Sequence, residues 1–203
     1  MSIKLDPPKI TGEFMKALQN RRTQRDMNGT DLTKEELSDL LWVIYGNNRE
    51  HDSRKPHTFL AYKTVPSACA LYPLEVCVLL KTGAYKYDAD KHELILIKEG
   101  DFTEKGIAQD FVKNGTNFYF FWNKTIYETC PIAGCKSFLN TGNNGIKMAA
   151  MDCGIISQNI YVYCAVHGLK TCVRGMLGDV KFFKDLFGYG DDYEMMFGQT
   201  VGH

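Results

Sequence analysis

A chain of 203 residues can bury a full hydrophobic core, and it suits one large domain or a small pair. Hydrophobic residues make up 44% and charged ones 24%, which excludes a disordered chain. Basic and acidic residues balance at 24 each, so the surface as a whole holds no attraction for nucleic acid or an anionic membrane.

The first segment, Met1 to Pro8, lacks the apolar core of a secretory signal, which points to the cytoplasm; export after removal of a signal is the alternative. Glu13 to Asn20 reads as a short helix that delivers Arg21, Arg22 and Arg25 at its end. Thr33 and Glu36 form a capping box ahead of Leu37, Leu40, Leu41 and Ile44, whose spacing predicts a second helix ending near Gly46. Asn47 to Lys63 is polar and charged and reads as a long surface loop, shaping a pocket. The pattern then turns to β. Glu75 to Lys81 is a strand, Tyr85 to Tyr87 and Glu93 to Lys98 flank Asp88 to His92 as a hairpin, and Asn117 to Trp122 is a buried aromatic strand. Past the turn Thr141 to Gly145, the series 148, 151, 155, 156, 160, 163 marks a long buried helix closed by Gly168. Its apolar stretch, Ile146 to Val166, includes Lys147, Asp152, Gln158 and Asn159, which argues against a membrane span. Lys170 to Arg174 reads as a short strand, Asp179 to Phe187 as a helix and Tyr193 to Val201 as a last strand. Neither repeat nor linker interrupts the series, so the expectation is one α+β domain over residues 1–203.

Seven cysteines occur without a CxxC pair or zinc-type spacing. Cys69, Cys77, Cys153 and Cys164 lie in apolar surroundings and read as reduced, structural thiols. Cys130 and Cys135 bracket a loop-like stretch that would close a small disulfide only in an exported protein. His51 and His57 have no spaced carboxylate or cysteine partner, so no metal is expected. His167, just before Gly168, reads as a helix-end residue favoured by the dipole. Gln158 and Asn159 read first as buried amides bonded to nearby backbone, with ligand contact as the alternative.

Two short segments carry chemistry. Arg21, Arg22, Thr23 and Arg25 offer guanidinium forks and a hydroxyl within five residues, a donor set suited to a phosphate monoester. Taken alone, such a run is more often a solvated face. Pro66, Ser67, Ala68 and Ala70 lead through Leu71-Tyr72-Pro73 into a strand, with small side chains that let backbone approach a planar ring; the plainer reading is a turn.

In that order, Arg21-Arg22-Thr23-Gln24-Arg25, Leu37 to Gly46, Pro66-Ser67-Ala68-Cys69-Ala70-Leu71-Tyr72-Pro73 and Gly83 to Asp88 resemble the nitroreductase family. The resemblance continues at Met151-Asp152-Cys153-Gly154 with Gln158-Asn159, and at Gly168-Leu169 through Arg174-Gly175-Met176. The Ser-Ala-x-Ala-Leu-Tyr-Pro form is similar to the branch containing the thiazole/oxazole dehydrogenases.

The resemblance implies a central, mostly antiparallel sheet flanked by helices, in a homodimer with FMN at the subunit interface. It also implies that Arg21, Arg22, Thr23 and Arg25 hold the FMN phosphate and ribityl chain, while Pro66, Ser67, Ala68 and Ala70 of the partner line the ring. Arg174 and Gly175 match the place where the family presents backbone N–H to the flavin. Thr23 stands where serine is usual, and Ala70 where many members carry an asparagine that reaches the ring. Most members continue with a basic residue beyond the point where this chain stops at His203, so that contact is lost or is supplied by another arginine such as Arg174.

The implied activity is ping-pong transfer of reducing equivalents from NADH or NADPH through FMN to a nitroaromatic, a quinone or a similar small acceptor. A flavin dehydrogenase of the thiazole/oxazole type and a non-enzymatic flavin-binding protein are the alternatives. No catalytic acid is nominated. The apolar segment Tyr193 to Val201 is expected to cover an open sheet edge by exchange between protomers.

Overall fold

The structure is a computed structural model that describes residues 2–4, 6–50, 61–105 and 107–203. Helix α1 (Gly12–Asn20) leads into an extended segment, and α2 (Lys34–Tyr45) follows. The capping box at the start of α2 is present. Thr33 Oγ1 accepts from the Glu36 N–H at 3.1 Å and Glu36 Oε2 accepts from the Thr33 N–H at 2.8 Å, so two of the orphan donors of the first turn are satisfied. Leu40, Leu41, Ile44 and Tyr45 form the buried face of α2.

Two short strands, β1 (Asn47–Arg49) and β2 (Tyr62–Lys63), pair as a separate antiparallel ribbon. The long loop read over 47–63 is therefore corrected at both ends. Asn47 and Lys63 lie opposite each other, and Lys63 Nζ donates to Asn47 Oδ1 at 3.1 Å. His51 and His57 lie outside the described residues.

The main sheet comprises β3 (Leu74–Leu80), β4 (Gly83–Asp88), β5 (Glu93–Glu99), β6 (Thr116–Asn123), β7 (Lys170–Arg174) and β8 (Tyr193–Gly202). Its order is β5-β4-β3-β6-β8-β7, with each neighbouring pair antiparallel. Alternation along the strands divides the core. Val76, Val78, Phe118, Phe120 and Phe197 face one side and pack with α2 and the long helix α4 (Asn144–His167). Cys77, Leu79, Tyr119, Phe121 and Met195 face the other and meet Phe183, Leu186 and Phe187 of α5 (Val180–Phe187). Both faces are covered, so the run Phe118 to Trp122 is apolar at every position rather than at alternate ones. Phe120 stacks on Phe197 with ring centroids 4.3 Å apart, and Tyr119 meets Phe183 at 4.5 Å.

Three further sequence expectations change. A helix, α3 (Ala133–Leu139), forms where a Cys130–Cys135 loop was read, and all seven cysteines are free. Met151, counted in the buried series of α4, is half exposed, while Asp152 beside it is fully buried. Strand β8 is no sheet edge: it pairs with β6 on one side and β7 on the other within its own chain. The open-edge motive for strand exchange is thereby removed. The helix-end reading of His167 agrees with the structure, where Gly168 closes α4 in the left-handed conformation at φ +71°. Among the described residues no helix is long and apolar enough to cross a membrane.

Candidate functional site

The site is organised by α4, whose 24 residues cross the sheet face over about 36 Å. Two residues on it, Asp152 and Tyr161, receive the two segments singled out in the sequence. They are nine positions apart, about 14 Å along the axis and about two and a half turns, which puts them on opposite sides of the helix.

On the Tyr161 side, α1 stops at Asn20 and the chain runs extended past β7, where the Gln24 N–H donates to the Thr171 carbonyl at 3.0 Å. That bond fixes the arginine segment along the sheet edge. Thr23 Oγ1 and the Tyr161 hydroxyl share a hydrogen bond of 2.9 Å, and the same hydroxyl accepts from the Val173 N–H at 3.2 Å. The Arg21 guanidinium lies 5.2 Å above the Tyr161 ring and that of Arg25 lies 5.9 Å from the Phe111 ring. Arg22 is occupied locally, with Nη1 donating to the carbonyls of Gln19 and Arg21 at 2.9 Å each. The three arginines are therefore not equivalent: Arg21 and Arg25 lean on aromatic rings, whereas Arg22 returns to its own backbone.

Tyr161 also lines a groove of about 410 Å³ between α4 and the ends of β7 and β8. Cys153, Gly154, Ser157 and Gln158 supply the helix side, and Val173, Met196 and Phe197 supply an apolar floor. Gln158 is exposed here, contrary to its reading as a buried amide; Asn159 agrees with that reading, as its Nδ2 donates to the Val43 carbonyl at 3.3 Å. Gly175, just beyond β7, faces open space. Arg174 goes the other way. Its side chain is 2% exposed, passes over Gly198, donates to Asn117 Oδ1 at 3.3 Å and lies 5.2 Å from the Tyr119 ring. A Cβ at residue 198 would sit 2.8 Å from Arg174 Nη2, so glycine there is what lets the guanidinium enter the core. The phosphate contact offered for the Arg174 side chain is dropped for that reason.

On the Asp152 side lies the Pro66 to Pro73 segment, shaped by a 3-10 turn at Ala68–Ala70 before β3. Cys69, Ala70 and Tyr72 all have left-handed backbone, at φ 53°, 53° and 49°, which non-glycine residues seldom adopt. Two bonds hold the turn: Ser67 Oγ accepts from the Tyr72 N–H at 3.1 Å, and the Tyr72 hydroxyl accepts from the Lys63 N–H at 3.3 Å. Pro66 is exposed, while Ser67, Ala68 and Ala70 are half-buried. Asp152 is fully buried beside Ser67, and burial pushes its carboxyl up to about 6 against the lowering effect of that serine hydroxyl.

One chain thus joins Arg21 and Thr23 to the groove through Tyr161, leaves Arg25 against Phe111, which does not line it, and does not bring Ser67, Ala68 or Ala70 to the same side of α4. The sequence reading missed Tyr161 and Asp152. The signal for Tyr161 was its position three residues after Gln158, on the same helix face; for Asp152 it was a carboxylate sharing the buried stripe of Ile156 and Ile160 at four-residue spacing.

The sequence profile described as "Nitroreductase family" matches residues 18–203. A protein of Methanocaldococcus jannaschii, assigned by its name to the nitroreductases, is 27% identical over 168 residues, 80% of this chain and 78% of its own length. A solved structure from Ralstonia eutropha, described in the same terms, superposes with a TM-score of 0.74 at 26% identity, covering 99% of this chain and 87% of the other. An NADPH:FMN oxidoreductase of Vibrio harveyi, solved with NAD+, shares the fold at a TM-score of 0.62 and 14% identity over 95% of this chain and 69% of its own. With almost the whole length matched and the sheet order and long helix in place, the chain belongs to the nitroreductase family of oxidoreductases.

Proposed function

We propose that this chain is an FMN-dependent oxidoreductase in which NADH or NADPH and a small electron acceptor take turns at one groove. The observation that carries the reading is the joining of the arginine segment to the groove through Tyr161. The residues fit such a group. Arg21 and the Thr23 hydroxyl, held against Tyr161, are the donors that would take a phosphate, with Arg25 further along the same segment, and the apolar floor of Val173, Met196 and Phe197 suits a flat ring. When bound, FMN supplies the two-electron chemistry that amino-acid side chains lack. The chain's own part is to hold the phosphate, exclude water from the apolar floor and present the open backbone at Gly175 to the ring edge.

A homodimer accompanies this reading. Ser67, Ala68 and Ala70 lie across α4 from the arginines, so they reach a ring only in a second subunit's site. The exposed face of α4, with Ala150, Met151 and Gly154, offers small and apolar residues for that contact. The free, largely buried cysteines support a reducing, cytoplasmic setting. The dehydrogenase reading is second, favoured by the Ser67-Ala68-Cys69-Ala70-Leu71-Tyr72-Pro73 form of the turn.

The test is the absorbance spectrum of the purified protein with added FMN, before and after anaerobic NADH or NADPH. A bound flavin band that bleaches with either nucleotide is expected. A band that persists with both favours the dehydrogenase or a flavin carrier, and failure to take up FMN removes the flavin reading altogether.

A further inference from the structure

The face of the sheet turned towards α5 holds a group of side chains that the flavin reading leaves without a task. Glu75, near the start of β3, takes two phenols on one carboxylate. The Tyr189 hydroxyl donates to its Oε2 at 2.5 Å, and the Tyr193 hydroxyl donates to its Oε1 at 2.7 Å. The two rings stack on each other, with centroids 4.1 Å apart and planes 18° from parallel. Cys77, two residues along β3 on the same face, brings its sulfur to 3.4 Å from the Tyr189 oxygen. Lys86 completes the set, with Nζ 3.4 Å from Glu75 Oε2 and 4.1 Å from the centroid of the Tyr189 ring.

A phenol gives up an electron readily only when its proton can leave at the same time, because the oxidised ring is a strong acid. A carboxylate already at hydrogen-bond distance takes that proton along the existing bond. Each phenol here has its own oxygen of the same carboxylate. Tyr119 and Tyr127 make the contrast: both are buried, and their hydroxyls meet no acceptor, so neither has a place to send a proton. Burial and access are also divided within the pair. Tyr189 is 7% exposed and walled by Phe121 and Phe187, whose ring centroids lie 4.8 Å and 6.2 Å from its own. Tyr193 is half-buried, and Glu75 lines a cavity of about 350 Å³ with a third of its side chain exposed.

We propose that Tyr189, Tyr193 and Glu75 form a one-electron redox site, a sink for oxidising equivalents delivered by a one-electron oxidant such as a peroxyl radical. The oxidant takes one electron from Tyr189 and is itself reduced by one. The Tyr189 O–H bond breaks and its proton passes to Glu75 Oε2, which leaves a phenoxyl radical beside a neutral carboxylic acid. Cys77 S–H then remains as the donor to the phenoxyl oxygen. The stacked ring carries the radical outward. One electron moves from Tyr193 to Tyr189, the Tyr193 proton goes to Oε1 and the proton on Oε2 returns to Tyr189, so the carboxyl keeps one proton throughout. At Tyr193 a small one-electron reductant supplies the electron, and the proton held by Glu75 restores the phenol. None of this rests on the flavin reading.

In the test, the full chain as purified is oxidised by a flash-generated ruthenium(III) tris-bipyridine complex and freeze-quenched, and its tyrosyl radical is counted by electron paramagnetic resonance. Y119F is expected to match wild type, and Y189F/Y193F to lower the yield about tenfold or more. Each single variant keeps one phenol on the carboxylate, so Y189F and Y193F should each retain a signal, with a hyperfine shape altered by the loss of one ring. E75Q keeps the hydrogen-bonding shape without a proton acceptor and should fall to the level of the double variant. Thermal melting shows which variants are folded, and should E75Q not fold, the tyrosine variants decide alone. A wild-type yield in folded Y189F/Y193F or E75Q, or a signal unchanged in both single variants, would overturn the proposal.

Discussion

The two sides of α4 are made of different materials. Towards Asp152 the helix meets buried tyrosines and a turn with three left-handed residues, a dry region in which each polar atom is set by packing. Towards Tyr161 it borders an open groove, with Arg21 half-buried against the Tyr161 ring. Low dielectric makes charge on the first side costly and its protonation adjustable; water keeps the second side charged and free to rearrange around a ligand. A family site of this kind needs both properties, and one helix separates them by half a turn.

The comparison can be broken outright in the core that packs beneath both sides, where Ile156 shares one cluster with Tyr72 of the turn and Phe197 of the groove floor. Ile156, fully buried on α4, supports both, so I156A is expected to lower stability by about 2–5 kcal/mol and to weaken groove and turn together, read by denaturant unfolding. A change that left either side intact would show the two to be independent.

The dry side alone responds to pH. The Asp152 carboxyl is raised in the folded chain from 3.8 to about 6, so the folded state binds the extra proton between these values. Stability contributed by this group is therefore fully present only well below pH 3.8 and lost as pH rises through about 6, a fall of roughly 3 kcal/mol in all. Unfolding curves at pH 4.5 and 7.5 should show about 2 kcal/mol of that fall in wild type and a reduced one in D152N.

The wet side alone responds to charge. R21A/R25A is expected to weaken FMN binding roughly 100-fold or more while the melting temperature stays within a few degrees, because charge-assisted bonds are lost and little packing is. Y161F tests the link between segment and groove. It removes the hydroxyl that serves both Thr23 and Val173, for about 1 kcal/mol per bond in thermal unfolding. The smallest change belongs to R22A, which should alter FMN affinity only a few-fold, since that guanidinium already serves the Gln19 and Arg21 carbonyls.

Much of the fold was legible along the chain. The capping box at Thr33 and Glu36, the apolar face of α2, the β4–β5 hairpin and the closure of α4 at Gly168 are local patterns, and local patterns survive folding. The misses have a common origin. α3 was invisible because its seven residues include Gly134 and lack an apolar period, so tertiary packing rather than propensity holds it. The position of β8 inside the sheet was misjudged because a C-terminal strand looks like an edge until its neighbours on both sides are known. Arg174 was given a surface task because an arginine is rarely buried, and only Gly198 opposite it makes room.

By itself the sequence determined the kind of elements present, their order, and which residue types were available to hold a phosphate or to line a turn. These depend on spacing and backbone preference within a few residues, where covalent geometry rules. Only the tertiary structure decided which of them meet. It set Thr23 against Tyr161, turned Arg174 inward and Gln158 outward, and placed Ser67 beside Asp152 on the far side of α4 from the arginines. Those contacts join residues far apart along the chain, from 23 to 161 and from 67 to 152. They arise where a 24-residue helix must bury its apolar stripe against a twisted sheet, an outcome settled by packing as a whole.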